Sequence, residues 1–552
     1  MKTAERRTFF LILSVLALVL TAALWQSCPA PGGEARALSV IRADDMRFHM
    51  KFLSSPEFRG RNTPSVEQDI ASRYIALTAE GLGLKPVMAD GSFFQEVPVE
   101  VTSLTAGDSS LRLVAGGRER VFCFPEDVTA GRNFETGRVE GELVLLGLGV
   151  IAPELGWDDA SGVDLKGKVA VVLDADLPED HPLKPRENRR LLAGRPAALK
   201  NKGAAGLVTV ISPERERRLQ EKGLSFDLPE RLRFPGVTTA NQAAPQAQAA
   251  AGGPNTPFLQ VEVRHEVAAA LLGLDADGLK NLFEEVASGG RPATKSMPGR
   301  RIEMRLNAGA RLGRAFNVVG LLKGGDPVLA GEYVTISSHH DHNPVREGRV
   351  FPGADDNLSG VVAMFEIAEA MKVAGPKRSV VFVWNTAEEK GLVGSYYFVQ
   401  HCPVPVEKVS ANLNLDMISR NDPGHIYLIG SNKLSSELDE SIKKMNERPG
   451  FGLTLDYKYE DPGHPDRFFF RSDQYPYIRF GIPAVWFFCG TTEDYHQETD
   501  TESKVDYAKM EKVARLVYLV AMDVGGRPGL LKLDLHPEVR TRGAHNMKVA
   551  WR

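Results

Sequence analysis

The strongest constraint on the fold is a strand-like run that ends in a cluster of metal-binding side chains. The segment 332–357 has the sequence EYVTISSHHDHNPVREGRVFPGADDN. Its β-branched run, Tyr333 to Ile336, predicts a strand, and an apolar helical pattern follows the segment. Imidazole and carboxylate groups are ligands that zinc accepts. The segment therefore predicts a metal site at a strand end, with candidates among His339, His340, Asp341, His342, Asp355 and Asp356.

From about Phe316 onward the sequence alternates between strand and helix patterns. We predict strands at Val318 to Leu322, Tyr333 to Ser337, Ser379 to Trp384, Ala411 to Leu415 and Ala484 to Phe488. We predict helices at Leu358 to Val373, Leu434 to Met445 and Tyr507 to Val524. This alternation is typical of a layered α/β sheet.

The chain of 552 residues is long enough for about two to four domains. Short β-rich runs separated by Gly, Pro and Asp predict an inserted domain, and Ala243 to Thr256 predicts a flexible surface loop. We predict these parts: a leader at 1–37, the first part of the main domain at 40–107, the insertion at 108–300, the main part at 301–527 and a tail at 528–552.

The N-terminus has the layout of an export signal. Lys2, Arg6 and Arg7 precede an apolar run from Phe9 to Trp25. The expected location is outside the cytoplasm: periplasmic, extracellular or anchored to a membrane and facing outward. Cleavage after Ala37, lipidation of Cys28 and retention as a membrane tether all stay open.

Composition argues against a nucleic-acid partner. The formal net charge is -4, and 43% of the residues are hydrophobic. The basic residues are scattered rather than gathered with aromatic residues into a patch. We therefore expect no nucleic-acid binding.

Further ligand-type residues follow the other predicted strands. Ligand sites in open α/β sheets lie beyond the carboxyl ends of the strands, so residues distant in sequence converge there. A bridging carboxylate with two more ligands per ion would make a two-metal site, the chemistry of many hydrolases. Glu388 is then free to act as general base. The ligand candidates are His339, Asp355, Glu389, Asp416 and His496, with Asp356 as an alternative to Asp355.

Taken in chain order, these motifs resemble the M28 family of zinc aminopeptidases and carboxypeptidases. The motifs are His339 to His342, Gly353 to Asn357, Ala387 to Glu389, Asn414 to Met417 and Asp494 to His496. The resemblance covers about Met46 to Val101 and Phe316 to Val524, and implies a three-layer α/β/α zinc-peptidase domain around a mixed, mostly parallel sheet. The insertion, with Gly167 to Val172 and Lys202 to Gly206, is similar to a β-rich protease-associated (PA) domain.

The resemblance also implies roles for single residues. His339 and Asp416 would bind one zinc ion, Glu389 and His496 the other, and Asp355 would bridge them. Glu388 would act as general base toward a zinc-bridging hydroxide. Asp341 would orient His339, Tyr495 would donate to the developing oxyanion, and Asp500 would support His496. The implied substrate is a peptide that loses its N-terminal residue, and the PA-like domain would offer protein contacts.

Three other functions stay open. One is a glutaminyl cyclase, which has a similar fold but works with a single zinc ion. Another is a carboxypeptidase, which needs a cation over the substrate carboxylate, here Arg467, Arg471 or Arg479. The third is a binding protein without catalysis. Within the cluster, His340 is expected to line the pocket at most.

Overall fold

We analysed a computed structural model of the chain, which describes residues 33–185, 188–239, 257–536 and 538–543. Within these residues the chain divides into two compact units. The larger unit consists of the residues up to Glu96, Ala315–Pro344 and the residues from Phe351 onward. The smaller unit consists of Val97–Arg314 and Val345–Val350.

A mixed sheet forms the centre of the larger unit. Seven neighbouring strands of this sheet follow the spatial order β1-β3-β2-β4-β7-β5-β6. The four neighbours β3, β2, β4 and β7 are parallel, whereas β1 and β5 pair antiparallel to β3 and β7. The strands are β1 (Ala308–Leu322), β2 (Tyr333–His339), β3 (Ser379–Asn385), β4 (Val409–Leu415), β5 (His425–Ile429), β6 (Thr454–Asp456) and β7 (Ala484–Phe488). The predicted mixed, mostly parallel α/β architecture is confirmed.

Helices cover both faces of this sheet. On one face, α4 and α8 form a single apolar core with side chains from β2, β3, β4 and β7. On the opposite face, α5 and α7 contact each other. Alternation along each strand thus buries both faces. The helices are α1 (Gly33–Val40), α2 (Ala43–Leu53), α3 (Val66–Gly81), α4 (Ser359–Ala374), α5 (Val393–Gln400), α6 (Ser436–Asn446), α7 (Gln474–Arg479) and α8 (Tyr507–Gly526).

The smaller unit is rich in β-structure and has its own apolar core. Its sheet contains, in spatial order, Arg118–Phe122, Ser110–Ala115, Lys295–Leu306, Gly137–Leu145, Val169–Leu173, Gly206–Val210, Leu259–Val263 and Val128–Ala130. Phe94–Leu104 pairs with Glu230–Arg233. Helices lie at Arg189–Ala193, Arg195–Asn201, Pro213–Glu221, His265–Leu272 and Ala276–Ala287. Its identity as a PA domain stays a prediction.

Most predicted elements of the larger unit agree with the structure to within a few residues, but the strand predicted from Val318 begins earlier, at Ala308. The Ser65 side chain caps α3 by accepting a hydrogen bond from the Gln68 amide at 3.0 Å. In the smaller unit, the helical stretch that begins at Arg189 breaks at Gly194 into two short helices.

The predicted leader and the predicted loop at 243–256 lie outside the described residues. Among the helices that the structure does describe, none has both the length and the apolar character needed to cross a membrane.

Glu366 predicts a pH dependence of stability. It is buried in α4, where its carboxylate accepts the Arg42 amide at 3.0 Å, and burial raises the pKa of its carboxyl to about 8. A carboxyl whose pKa rises on folding costs stability once the pH exceeds its unfolded value, so this cost grows from about pH 4.5 to 8. We therefore expect the free energy of unfolding of Glu366→Gln, measured in urea, to rise relative to that of wild type as the pH increases. The rise between pH 5 and pH 9 should be about 1–4 kcal/mol.

Glu511→Gln is the matched control, because Glu511 accepts the neighbouring Ala43 amide at 2.9 Å but lies only partly buried. Parallel pH profiles for wild type and Glu366→Gln would contradict the prediction.

Candidate metal centre

Four parallel neighbouring strands bring the predicted ligands together. The carboxyl ends of β3, β2, β4 and β7 lie at the same edge of the sheet. His339 is the last residue of β2, and Asp416 directly follows β4. Glu388 and Glu389 lie in the turn after β3, and His496 lies in the loop after β7. The edge therefore gathers imidazoles and carboxylates from four separate segments.

The side chains form two groups that could each hold a metal ion. In the first, His339 Nε2 lies 3.4 Å from Asp356 Oδ1 and 3.5 Å from Asp416 Oδ1. In the second, His496 Nε2 lies 3.0 Å from Asp356 Oδ2 and 3.1 Å from Glu389 Oε1. Asp356 contributes one oxygen to each group, which is the arrangement of a bridging carboxylate. The second group also contains His342.

The prediction of Asp355 as the bridging residue was wrong. Asp355 Oδ1 accepts hydrogen bonds from the Ser419 amide at 2.9 Å and the Ser419 hydroxyl at 2.7 Å, and Asp355 belongs to neither metal group. The two aspartates occupy a turn, Ala354–Leu358, in which Asp356 has non-helical angles of φ -103° and ψ 94°. This backbone turns the two adjacent carboxylates in different directions.

The electrostatics of the site favour a cation. Burial alone would raise the pKa of Asp356, but the imidazoles of His342, His339 and His496 hold it well below its usual range. Burial alone would lower the pKa of His496, but the carboxylates of Asp356 and Glu389 raise it to about 10. The buried carboxylates thus favour positive charge next to them, and they raise the pKa of both His339 and His496.

Unpartnered ligand atoms point to the same conclusion. Asp416 Oδ1 and both ring nitrogens of His342 are buried without a hydrogen-bond partner in the described structure. Buried polar atoms of this kind normally have partners. Borderline donors with unused lone pairs, gathered around excess negative charge, fit a divalent metal ion such as zinc.

Glu388 lies at the wall of the site without belonging to either group. Its Oε2 lies 3.8 Å from His339 Nε2, and the side chain is about one-tenth exposed. Burial and the carboxylates of Glu389 and Asp416 raise the pKa of Glu388 well above its usual range. A carboxyl in such a position can exchange a proton with a water molecule in the site.

The structure adds to the predicted role of Asp341 and changes that of Asp500. The Nδ1 of His339 lies 3.1 Å from the Asp341 backbone carbonyl and 3.8 Å from Asp341 Oδ1, and the same Oδ1 accepts the Glu388 amide at 3.0 Å. Asp341 therefore contacts His339, as predicted, and also positions Glu388. The Asp500 carboxylate accepts the amides of Asp355 and Asp356 at 3.0 to 3.1 Å, so it holds the bridging turn rather than His496.

Residues 317–521 match the sequence model of peptidase family M28. This chain carries an M28 peptidase domain. A probable leucine aminopeptidase 2 from Aspergillus oryzae is 33% identical over 184 residues, covering 32% of this chain and 34% of the relative. Leupeptin-inactivating enzyme 1 from Streptomyces exfoliatus is 33% identical over 178 residues, covering 32% and 36%. The chain thus spans about a third of the length of these curated relatives.

One similar solved structure is BSAP, a zinc aminopeptidase from Bacillus subtilis. The TM-score is 0.52 and the identity 17%, with 90% of this chain and 99% of that chain covered. At this identity the likeness shows a shared fold.

The pocket of the M28 domain combines the metal groups with apolar walls and a cationic rim. Arg471 donates a hydrogen bond to the Tyr495 hydroxyl at 2.9 Å, and the Tyr495 ring stacks on His496 with 3.8 Å between centroids. Burial and nearby carboxylates raise the pKa of Tyr495, so its hydroxyl stays protonated. The pocket is lined by His339, Asp356, Glu388, Asp416, Met417, Phe468, Arg471, Trp486, Tyr495 and His496.

Sequence reasoning missed several residues that support the ligands. Ser472 donates to Asp416, and Arg420 pairs with Asp500 at 2.6 Å. Arg61 is buried and donates to the carbonyls of His340 and Pro352. These residues lie far from their partners in sequence, and only the fold brings them close.

Asp356→Asn should abolish binding at both groups, because one carboxylate serves both. We expect zinc affinity to fall by at least about 100-fold, measured by calorimetric titration of metal-free protein. Asp355→Asn is the matched control. Its amide oxygen can still accept from Ser419, so its zinc affinity should stay unchanged. If Asp355→Asn loses zinc and Asp356→Asn keeps it, Asp355 is the bridging residue instead.

Proposed function

We propose that this chain is a di-zinc metallopeptidase that removes N-terminal residues from peptides outside the cytoplasm. The observation that carries the proposal is Asp356, whose two carboxylate oxygens face two separate ligand groups. The M28 domain and the leucine aminopeptidase relatives support the exopeptidase class.

Metal binding, proton transfer and hydrogen-bond donation are assigned to different residues of the site. His339, Asp356 and Asp416 would hold one zinc ion, and Asp356, Glu389 and His496 the other. When bound, a pair of zinc ions polarises a carbonyl group and lowers the pKa of water. Glu388 is placed to take a proton from the attacking water and to return it to the leaving amine. Tyr495 is placed to donate a hydrogen bond to the oxygen that becomes negative.

The pocket favours a substrate with a positive amino terminus. Its lining includes Glu388, a carboxylate that belongs to neither ligand group and would attract an α-ammonium group. The walls include Phe468 and Trp486, whose ring centroids lie 6.1 Å apart. Such walls suit an apolar side chain next to the scissile bond.

Export is supported by the sequence of the leader. Its basic residues, Lys2, Arg6 and Arg7, precede the apolar run from Phe9 to Trp25.

Arg471 supports a second candidate, a carboxypeptidase. Of the three cations considered, Arg471 lines the pocket. Arg467 lies over the Phe470 ring at 4.7 Å, and Arg479 is buried beside Tyr475. A guanidinium at the pocket rim could bind the carboxylate of a peptide C-terminus.

The proposed function predicts two zinc ions per chain and hydrolysis of aminoacyl amides that chelator abolishes. Glu388→Gln should lower kcat by about 10²- to 10⁴-fold while two zinc ions stay bound, because Glu388 is not a ligand. Elemental analysis and steady-state kinetics measure these outcomes.

Glu366→Gln, which removes a buried carboxylate away from the site, should keep wild-type kcat. One zinc ion with cyclisation of N-terminal glutamine would identify a glutaminyl cyclase. No zinc and no turnover would identify a binding protein.

Arg471→Gln separates the two peptidase candidates. For an aminopeptidase, the ratio of kcat/KM between a dipeptide and the corresponding aminoacyl amide should change by less than about threefold, because no C-terminal carboxylate is recognised. Arg467→Gln is the matched control. A drop of at least about tenfold in that ratio, in Arg471→Gln alone, would favour the carboxypeptidase.

A further inference from the structure

His342 is a buried side chain whose polar atoms have no assigned purpose. It lies three residues after His339 and is outside the ligand set that the family resemblance implies. Its ring is fully buried, and neither ring nitrogen has a hydrogen-bond partner in the described structure. The neighbouring His340 differs, because its Nε2 is paired with the Ser72 hydroxyl at 2.9 Å. The ring nitrogens of His342 are therefore available to a ligand that the protein itself does not supply.

The ring points into the second metal group. His342 Nδ1 lies 2.9 Å from Glu389 Oε1 and 3.8 Å from Asp356 Oδ2. The 2.9 Å contact lacks the alignment of a hydrogen bond. A nitrogen close to an oxygen but not directed at it is expected when both atoms face a common centre.

The four candidate ligand atoms have the spacing of a tetrahedral metal site. They are His342 Nδ1, His496 Nε2, Asp356 Oδ2 and Glu389 Oε1. Around zinc, ligand bonds of about 2.0 to 2.1 Å place neighbouring ligand atoms about 3.3 Å apart. Here the contacts from His342 are 2.9 and 3.8 Å, and those from His496 to the same carboxylates are 3.0 and 3.1 Å. The values bracket the tetrahedral spacing.

The backbone around His342 keeps its ring in place. A Cβ at Gly353 would lie 2.7 Å from two ring atoms of His342, so glycine leaves the space that the imidazole needs. Arg61 donates to the Gly353 carbonyl and to the Pro352 carbonyl, which fixes this wall of the site. The ring is thus held rigidly against the metal group.

We propose that His342 is a fourth protein ligand of the ion held by Asp356, Glu389 and His496. This inference rests on the two-ion function proposed above. It makes the two ions unequal. Four protein ligands close a zinc site, whereas three leave a position for water or substrate. The ion at His342 would then be retained more firmly, and the ion at His339, Asp356 and Asp416 would keep the open position.

The test measures metal retention rather than activity. Zinc-loaded protein is equilibrated with increasing concentrations of chelator, and zinc per chain is determined by elemental analysis. Wild type should release its ions in two separate steps. In His342→Ala the later step should move to a free-zinc concentration at least about tenfold higher. His340→Ala, which removes the adjacent buried imidazole, should keep two steps.

X-ray absorption on the wild-type protein provides a measurement that needs no variant. Three imidazoles shared between two zinc ions support the proposal, and two imidazoles overturn it. Unchanged release from His342→Ala would also overturn it while leaving the proposed function intact. A wild type that binds no zinc would overturn the proposed function as well.

Discussion

The site depends on burying the Asp356 carboxylate next to other carboxylates. A buried carboxylate is costly unless it is paired with positive charge and hydrogen-bond donors. Around Asp356 the fold supplies imidazoles from three segments, at the end of β2, in the loop that follows it, and in the loop after β7. Neutral imidazoles carry no charge, so with neutral rings the carboxylates of Asp356, Glu389 and Asp416 leave excess negative charge at the site. A pair of divalent cations would balance it, so metal binding and the stability of this edge of the sheet are linked.

The backbone near Asp356 is held by its own set of contacts. Asp500 accepts the backbone amides of both Asp355 and Asp356, and Arg420 neutralises Asp500. Asn357 donates to the Ser338 hydroxyl and the Leu415 carbonyl, which ties the same turn to β2 and β4. The direction of the bridging carboxylate is thus set by several independent hydrogen bonds. This precision matters, because one carboxylate must face two ligand groups at once.

The sheet below the site is unusually polar on one face. Ser337 donates to Asn414, and Asn414 donates in turn to Ser472, which contacts the ligand Asp416. These groups are fully buried, so an apolar substitution among them would leave partners unpaired. The network connects the sheet interior to one candidate metal ligand, Asp416. It explains why this stretch of a parallel sheet is not uniformly apolar.

Hydrophobic periodicity was enough to place most elements of the larger unit, because β2, β3, β4 and β7 are short buried runs followed by polar residues. It was also enough to predict that His339, Glu389, Asp416 and His496 meet, since parallel strands share an edge. The choice between Asp355 and Asp356 could not be made this way. It depends on the non-helical φ and ψ angles of one turn, which leave no periodic pattern in the sequence. Likewise, the role of Asp500 depends on backbone amides that are about 145 residues away.

The most direct test of this account is a crystal structure of the zinc-loaded protein with anomalous diffraction data collected at the zinc edge. A bridging Asp356 predicts two anomalous peaks, one on each side of its carboxylate, with Asp355 hydrogen-bonded to Ser419. A single peak, or two peaks bridged by Asp355, would contradict it.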